Sequence, residues 1–451
     1  MPADSVPDPV PVSVPASPPA PLTDRRVLAI ALPIVLSNAT IPILGAVNTG
    51  VVGQLGQAAP IGAVGLGAVI LAGIYWIFGF LRMGTSGLVA QARGAGDEAE
   101  AAAHLARALV IGLVLGVTIT LVHAPLIAGA FALAPASAEV ERLAGQYLAI
   151  RFWGAPATIA IYAITGWLIA LERTRAVLVQ QLVMNGLNII LSAWFVLGLG
   201  RGVPGVAVAT LIAEYAGLVI GLWFARHALA GVFGRAGLFA AEKMRRLLSV
   251  NGDILIRSVL LQGSFTTFMF MAAGQGDQVL AANQVLLQFL EITAYGLDGF
   301  AFAAEALVGQ AVGARRPGRL RAAVRISVKW GVIGAVAISA VFWLAGPAII
   351  DMLTTAPGVR AEARAYLPWL VAAPVIGIAS WMLDGIFIGA MRTRDMRNAM
   401  LIAVAAYGAL VLALPPVLGN HGLWAALMGL NLLRGLTLAR RYGSVRAAAQ
   451  P

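Results

Sequence analysis

The sequence predicts an all-α polytopic membrane protein: twelve transmembrane helices in two pseudo-symmetric six-helix bundles, with a central cavity between the lobes. Three observations predict it. First, the 451 residues are 60% hydrophobic and only 11% charged, with a mean hydropathy of +0.86. Soluble chains carry about 25% charged residues, and a water-exposed fold cannot hide this much apolar surface. Second, apolar runs recur along the chain, each near the length of about 20 residues that a span needs. Third, landmarks of the first half return in the second at one constant offset.

The elements follow in order. Residues 1–23 are rich in Pro, Ser and Val and lack a basic segment followed by an apolar core. They read as a disordered cytoplasmic tail and not as a signal peptide. Structure is expected to start near Asp24, a residue type suited to a helix cap. Apolar runs follow at roughly 26–53, 61–88, 104–124, 144–171, 176–199 and 203–226. A second set lies at roughly 252–273, 279–308, 322–346, 364–390, 398–418 and 421–439. The expected organisation is an N-lobe over 24–226, a basic amphipathic cytoplasmic linker over 227–248, a C-lobe over 249–441 and a cytoplasmic tail over 442–451.

Basic residues set the orientation. Arg25 and Arg26, Arg93, Arg173 and Arg175, Lys243 to Arg246, Arg315 to Arg321, Arg392 to Arg397, and Arg440 and Arg441 fall on one side when the spans alternate. The other side holds few, among them Arg142, Arg201, Arg360 and Arg364. The positive-inside rule then places both termini in the cytoplasm and the protein in the cell (inner) membrane. It also accounts for the net charge of +11, so no nucleic-acid partner is expected.

Gln91-Ala92-x-Gly94-Ala95 recurs as Gln310-Ala311-x-Gly313-Ala314, and Arg173-Thr174-Arg175 as Arg392-Thr393-Arg394. Tyr147 matches Tyr366, and Gly166 matches Gly385. The differences 310 − 91, 392 − 173, 366 − 147 and 385 − 166 each equal 219. An even number of spans per copy makes these parallel repeats, related by an axis along the membrane normal. That is the architecture of a monomeric transporter that alternates access.

There is no cysteine, and the four histidines are scattered, so neither a thiolate site nor a metal site is expected. No Walker motif, Gly-x-Ser-x-Gly elbow or His-Glu-x-x-His is present, so ATP is not the direct energy source and no enzyme pattern is found. No cofactor is expected beyond a coupling ion, H+ or Na+.

Ionisable residues within spans are functional candidates by default. Gln284, Glu291, Asp298 and Glu305 are spaced by seven on the eighth span. That spacing drifts only about 20° per step, so all four lie on one stripe. A carboxylate at mid-depth could load and release a proton as each side opens. Asp384 on the tenth span and Glu214 on the sixth are further candidates for proton or cation coupling. Glu214 could instead hydrogen-bond a neighbouring Ser, Thr or Tyr. Arg257 on the seventh span could neutralise a carboxylate of the stripe, and Asp253 lies one turn before it at i, i+4. Arg82, in FGFLRMGTSG, snorkels or pairs with an acid of the other half. Asn185 and Asn188, one turn apart in VMNGLNII, could line a polar cavity together with Asn48, or bond neighbouring helices. Tyr75, Met83 and Gln284 suit the wall of a cavity for a small amphipathic or cationic substrate.

The blocks LPIVLSNATIPILGAVNTGVVGQLG, YWIFGFLRMGTSGLVAQARGAGD, NGDILIRSVLLQ, AYGLDGFAFAAEALVGQAVGA and LDGIFIGAMRTRDMRNAM resemble the DinF-like branch of the MATE (multidrug and toxic compound extrusion) family. The resemblance runs from about 26 to 441. It implies twelve spans in two lobes and export of mostly cationic or amphipathic compounds by antiport with protons or sodium. The broader superfamily includes flippases for lipid-linked sugars, which is the alternative reading. One departure stands out. The family's first span typically reads Val-Asp-Thr, with that Asp as an N-lobe proton or cation site, where this chain has Val47-Asn48-Thr49. A second acidic position aligns with Ser192. Neither residue can titrate, so coupling is expected in the C-lobe, at Asp298, Glu305 and Asp384.

Overall fold

The computed structural model describes residues 22–133 and 136–450. The tail expected over 1–23 therefore lies outside the described residues, except Leu22 and Thr23. Within this range twelve helices are long and apolar enough to cross a membrane. They are α1 (Asp24–Gly53), α2 (Ala58–Gly94), α3 (Glu98–Leu121), α4 (Ala138–Ala170), α5 (Thr174–Gly198) and α6 (Gly202–Leu229), then α7 (Ala241–Ala273), α8 (Asp277–Gly313), α9 (Pro317–Leu353), α10 (Pro357–Gly389), α11 (Thr393–Leu418) and α12 (Asn420–Ala448). No strand occurs among the described residues. In lipid every backbone polar group must be satisfied within the segment, and the helix does this.

Local signals start the helices. Thr23 caps α1, its hydroxyl accepting from the Arg26 amide at 3.3 Å, so the cap sits one residue before the expected Asp24. Asp97 caps α3 by accepting from the Glu100 amide at 2.8 Å. Prolines stand in the first turns of α9 and α10, where the missing N–H costs nothing. Three first-half spans depart from a regular α-helix, α5 by ending in a π-helical turn at Trp194–Gly198. α2 interrupts at Phe78, between segments ending at Ile77 and starting at Gly79. α4 tightens into a 3-10 turn at Phe152–Gly154, just ahead of Pro156.

The repeat extends to the backbone. Glu172 and Met391 both have left-handed φ, 60° and 54°, as do Gly96 and Arg315, 79° and 50°. Each pair is 219 residues apart. The lobes meet through the same symmetry. Gln91 Nε2 donates to the Gly389 carbonyl at 3.1 Å, and Gln310 Nε2 donates to the Ala170 carbonyl at 3.0 Å. Beside this double clasp Gly94 lies on the Gln310 carbonyl and Gly313 on the Gln91 carbonyl. A Cβ at either glycine would sit 2.1 or 2.0 Å from that oxygen.

Two further inter-lobe ties lie toward the end that carries the basic loops. Asp24 pairs with Lys329 and accepts from the Trp330 indole, and Arg82 pairs with Glu305. Asn38 Nδ2 donates to the Tyr295 carbonyl at 3.3 Å, near mid-span. Beyond it, no inter-lobe hydrogen bond or ion pair occurs among the described residues. The segment between the lobes folds back on α3. Arg107, buried in α3, donates to the Leu238 carbonyl at 2.5 Å, and Lys243 reaches Glu100 at 2.8 Å.

This packing predicts that Gly94→Ala and Gly313→Ala each lower the melting temperature of the detergent-solubilised protein by a few degrees, as a change of ~1–3 kcal/mol from overpacking does. Gly408→Ala, whose Cβ meets nothing within 4 Å, should leave it unchanged. Equal melts for all three would contradict the close approach.

Candidate functional site: a charged seam below an inter-lobe cleft

All four stripe residues lie on α8, and their environments grade along it. Gln284 and Glu291 are exposed, Asp298 is half-buried and Glu305 is fully buried. The steps are about 10 Å each along the helix. The stripe therefore runs from exposed positions down into the closed seam.

At the bottom, Arg82 Nη1 reaches Glu305 Oε2 at 3.4 Å across the lobe interface. This is the partner from the other half that Arg82 was expected to have. The guanidinium also stands 3.9 Å from the Phe302 ring centroid, which lowers its cost of burial. One step up, Asp298 makes no hydrogen bond or ion pair among the described residues. It lies in electrostatic range of Arg82, Glu305, Arg257 and Asp384.

Asp384 is held differently. Arg257 Nη2 donates to its Oδ2, and Arg434 Nη2 stands 3.4 Å from the same oxygen while donating to Ser380 Oγ at 3.0 Å. Arg434 was not singled out in the sequence, although an arginine inside the last span was signal enough. Arg257 does neutralise an acid, but it is Asp384 and not a carboxylate of the α8 stripe. Asp253 accepts from Arg397 Nη1 at 2.7 Å and from Thr393 Oγ1 at 3.1 Å, tying α7 to the start of α11. The reason is direction: Asp253 faces the loop arginines, whereas Arg257 points into the lobe, where Asp384 is the available carboxylate. Taken together, Arg82, Arg257 and Arg434 balance Asp298, Glu305 and Asp384.

The N-lobe has one deep ion pair. Arg151 donates to both oxygens of Glu214, at 2.6 and 2.8 Å, and the Tyr75 hydroxyl donates to the Arg151 carbonyl at 3.4 Å. Glu214 thus meets an arginine where a Ser, Thr or Tyr partner was considered, and Arg151 too was missed by sequence reading. Tyr75 is buried, and Met83 is partly buried against a core cluster shared by both lobes.

The asparagines also differ from a shared cavity lining. Asn185 Nδ2 donates to Thr40 on α1 at 2.6 Å, and Asn188 Nδ2 donates to Thr210 on α6 at 2.9 Å. Both are buried. Three residues do not complete a 3.6-residue turn, so each side chain reaches a different neighbour. Ser192 donates back to Asn188 at 3.0 Å. Asn48 is half-buried, and its buried Oδ1 has no hydrogen-bond partner among the described residues.

The chemistry divides accordingly. Removing one partner from a buried ion pair costs about 3–5 kcal/mol. Protonating Asp384 or Glu214 must disrupt such a pair. Asp298 can exchange a proton or hold a cation without breaking any.

Known proteins place this geometry. The MatE family model matches residues 33–194 and 254–414, one block in each lobe. The chain is 41% identical over 420 residues to DNA damage-inducible protein F of Escherichia coli, covering 92% of this chain and 91% of that protein. It is 27% identical over 453 residues to a probable multidrug resistance protein NorM of Pseudomonas aeruginosa, covering 94% and 90%. Its fold matches, with a TM-score of 0.81 at 21% identity over 94% of this chain and 96% of the other, the solved outward-facing conformation of a multidrug resistance MATE family transporter of the MOP superfamily. With both lobes matched by the family model and most of its length aligned to DNA damage-inducible protein F, the chain belongs to the MATE family of multidrug efflux transporters, in its DinF-like branch.

Proposed function

We propose that this chain is a secondary antiporter of the cell (inner) membrane, with both termini cytoplasmic, that exports cationic or amphipathic small molecules by alternating access. Protons, or sodium ions, flow inward in exchange. The observation that carries this reading is Asp298, a half-buried carboxylate with no hydrogen bond or ion pair among the described residues, one step above the closed seam. The name of the Pseudomonas relative and the concentration of basic loops at one end support it.

In this cycle the cleft opens away from the basic end, and Asp298 takes up a proton or cation there. A cationic substrate arriving from the basic side competes for the same carboxylate, because one negative charge cannot neutralise two cations. Exchange follows from that competition. Asp384 and Glu214 act as fixed counter-ions that allow Arg257, Arg434 and Arg151 to be buried.

A second reading is a flippase or facilitator of a lipid-linked or amphipathic substrate. The neutral Asn48 and Ser192 favour it, since an N-lobe carrier of protons is missing at both positions.

Proteoliposomes loaded with a lipophilic cation such as ethidium decide between the readings, with pH and sodium gradients imposed separately. Asp298→Asn should reduce gradient-driven transport by about tenfold or more, the loss expected for an interaction of a few kcal/mol. Equal transport by the wild type and an Asp298→Asn, Glu305→Gln double variant would exclude the C-lobe site. Glu214→Gln should keep its gradient dependence while losing thermal stability, by up to about 3–5 kcal/mol. Asn48→Asp should leave the gradient dependence as in the wild type. Gradient-driven efflux that appears only in Asn48→Asp would favour the flippase reading.

A further inference from the structure

We propose that Arg82 is a positioning residue of the transport cycle: it carries the N-lobe's half of a charge lock that holds the basic end shut, and neutralising Glu305 releases it. The inference deepens the antiporter reading and rests on it.

Arg82 is the N-lobe charge that meets the C-lobe inside the span region. The other ionic ties between the first six spans and the last six, Asp24 with Lys329 and Glu100 with Lys243, lie at helix ends with their lysines exposed. Glu214 is already satisfied within its own lobe by Arg151, and Asn48 and Ser192 carry no charge.

The lock breaks the internal symmetry. At the offset of 219, Arg82 corresponds to Ala301, and Glu305 to Ser86. The glutamine clasp was duplicated and exists twice, whereas the Arg82–Glu305 pair exists once. Its hold is also light. It is a single contact of 3.4 Å, against two bonds of 2.6 and 2.8 Å for Arg151–Glu214. Ser86 Oγ is buried beside the Glu305 carboxylate, and neither it nor Glu305 Oε1 makes a well-formed hydrogen bond among the described residues. An opened seam would hydrate this carboxylate and hydroxyl, and the charge pair opposes that opening.

The groups around Glu305 make the release specific. Arg82 faces it from α2, with Ser86 on the same helix and Asp298 on its own helix. Arg257 on α7 and Asp384 on α10 are in range of Asp298, and Arg434 on α12 is bonded to Asp384. A proton that enters at Asp298 and moves to a Glu305 oxygen removes the charge that Arg82 holds. The basic end then opens just when the opposite side has delivered its ion.

The absence of cysteine makes the test clean. Ser86→Cys places a single thiol in the seam, and its labelling by a membrane-impermeant maleimide offered at the basic end reads opening directly. At fixed pH, Glu305→Gln and Arg82→Gln in this background should each speed labelling by about tenfold or more, given what breaking a buried pair costs. The swap Arg82→Glu with Glu305→Arg should restore the slow rate. Unchanged labelling in both single variants, or a swap as fast as they are, overturns the lock. Should Glu305→Gln fail to reach the membrane, Glu305→Asp, which withdraws the charge by one methylene, carries the same expectation. Labelling reads conformation without substrate. An intact lock with no ion-driven transport would therefore count against the antiporter reading alone.

Discussion

Lipid offers charges no refuge, and that constraint organises the interior of this protein. A carboxylate or guanidinium inside a span must be neutralised, hydrated or kept out. The chain nevertheless buries arginines in both lobes, and each is answered. Arg151 has Glu214, Arg257 and Arg434 share Asp384, and Arg82 crosses the interface to Glu305. Asp298 and Glu291 are the stripe acids that make no hydrogen bond or ion pair among the described residues, and Asp298 is the one next to the seam. A single proton there or on Glu305 upsets a balance of three positive and three negative groups. Coupling needs that sensitivity.

The geometry of the seam turns local charge into a statement about the whole molecule. The glutamine clasp and the two glycines bring the lobes together at backbone distance. Contacts of that kind are either made or lost, with little between. A short-range charge pair next to such a seam therefore has leverage beyond its own strength. Toward the opposite end no inter-lobe hydrogen bond is made beyond Asn38 among the described residues, and α8 exposes Gln284 and Glu291 there.

Much of this was legible in the sequence. Composition and run length mark the spans because lipid imposes both. Duplication leaves identical residues at a fixed offset, so the architecture and the matched glutamines could be found by subtraction. The acidic stripe on α8 was visible because a seven-residue step nearly preserves helix face. Partner choice was less legible. Arg257 with Asp253 obeyed the i, i+4 rule, but two different helices supplied their partners. Arg151 and Arg434 were missed although each is an arginine within a span. Which neighbour a long side chain reaches depends on helix rotation and on breaks such as Phe152–Gly154, and no local pattern encodes either. Asn185 and Asn188 failed as a shared lining for the same reason.

The central claim is that Asp298 exchanges its ion for substrate. The most direct measurement is proton release from purified, weakly buffered protein when ethidium is added. The account predicts release from the wild type that disappears in Asp298→Asn while ethidium still binds. With proton coupling, undiminished release from Asp298→Asn would contradict it; with sodium coupling, the same contradiction would come from ethidium failing to displace bound sodium.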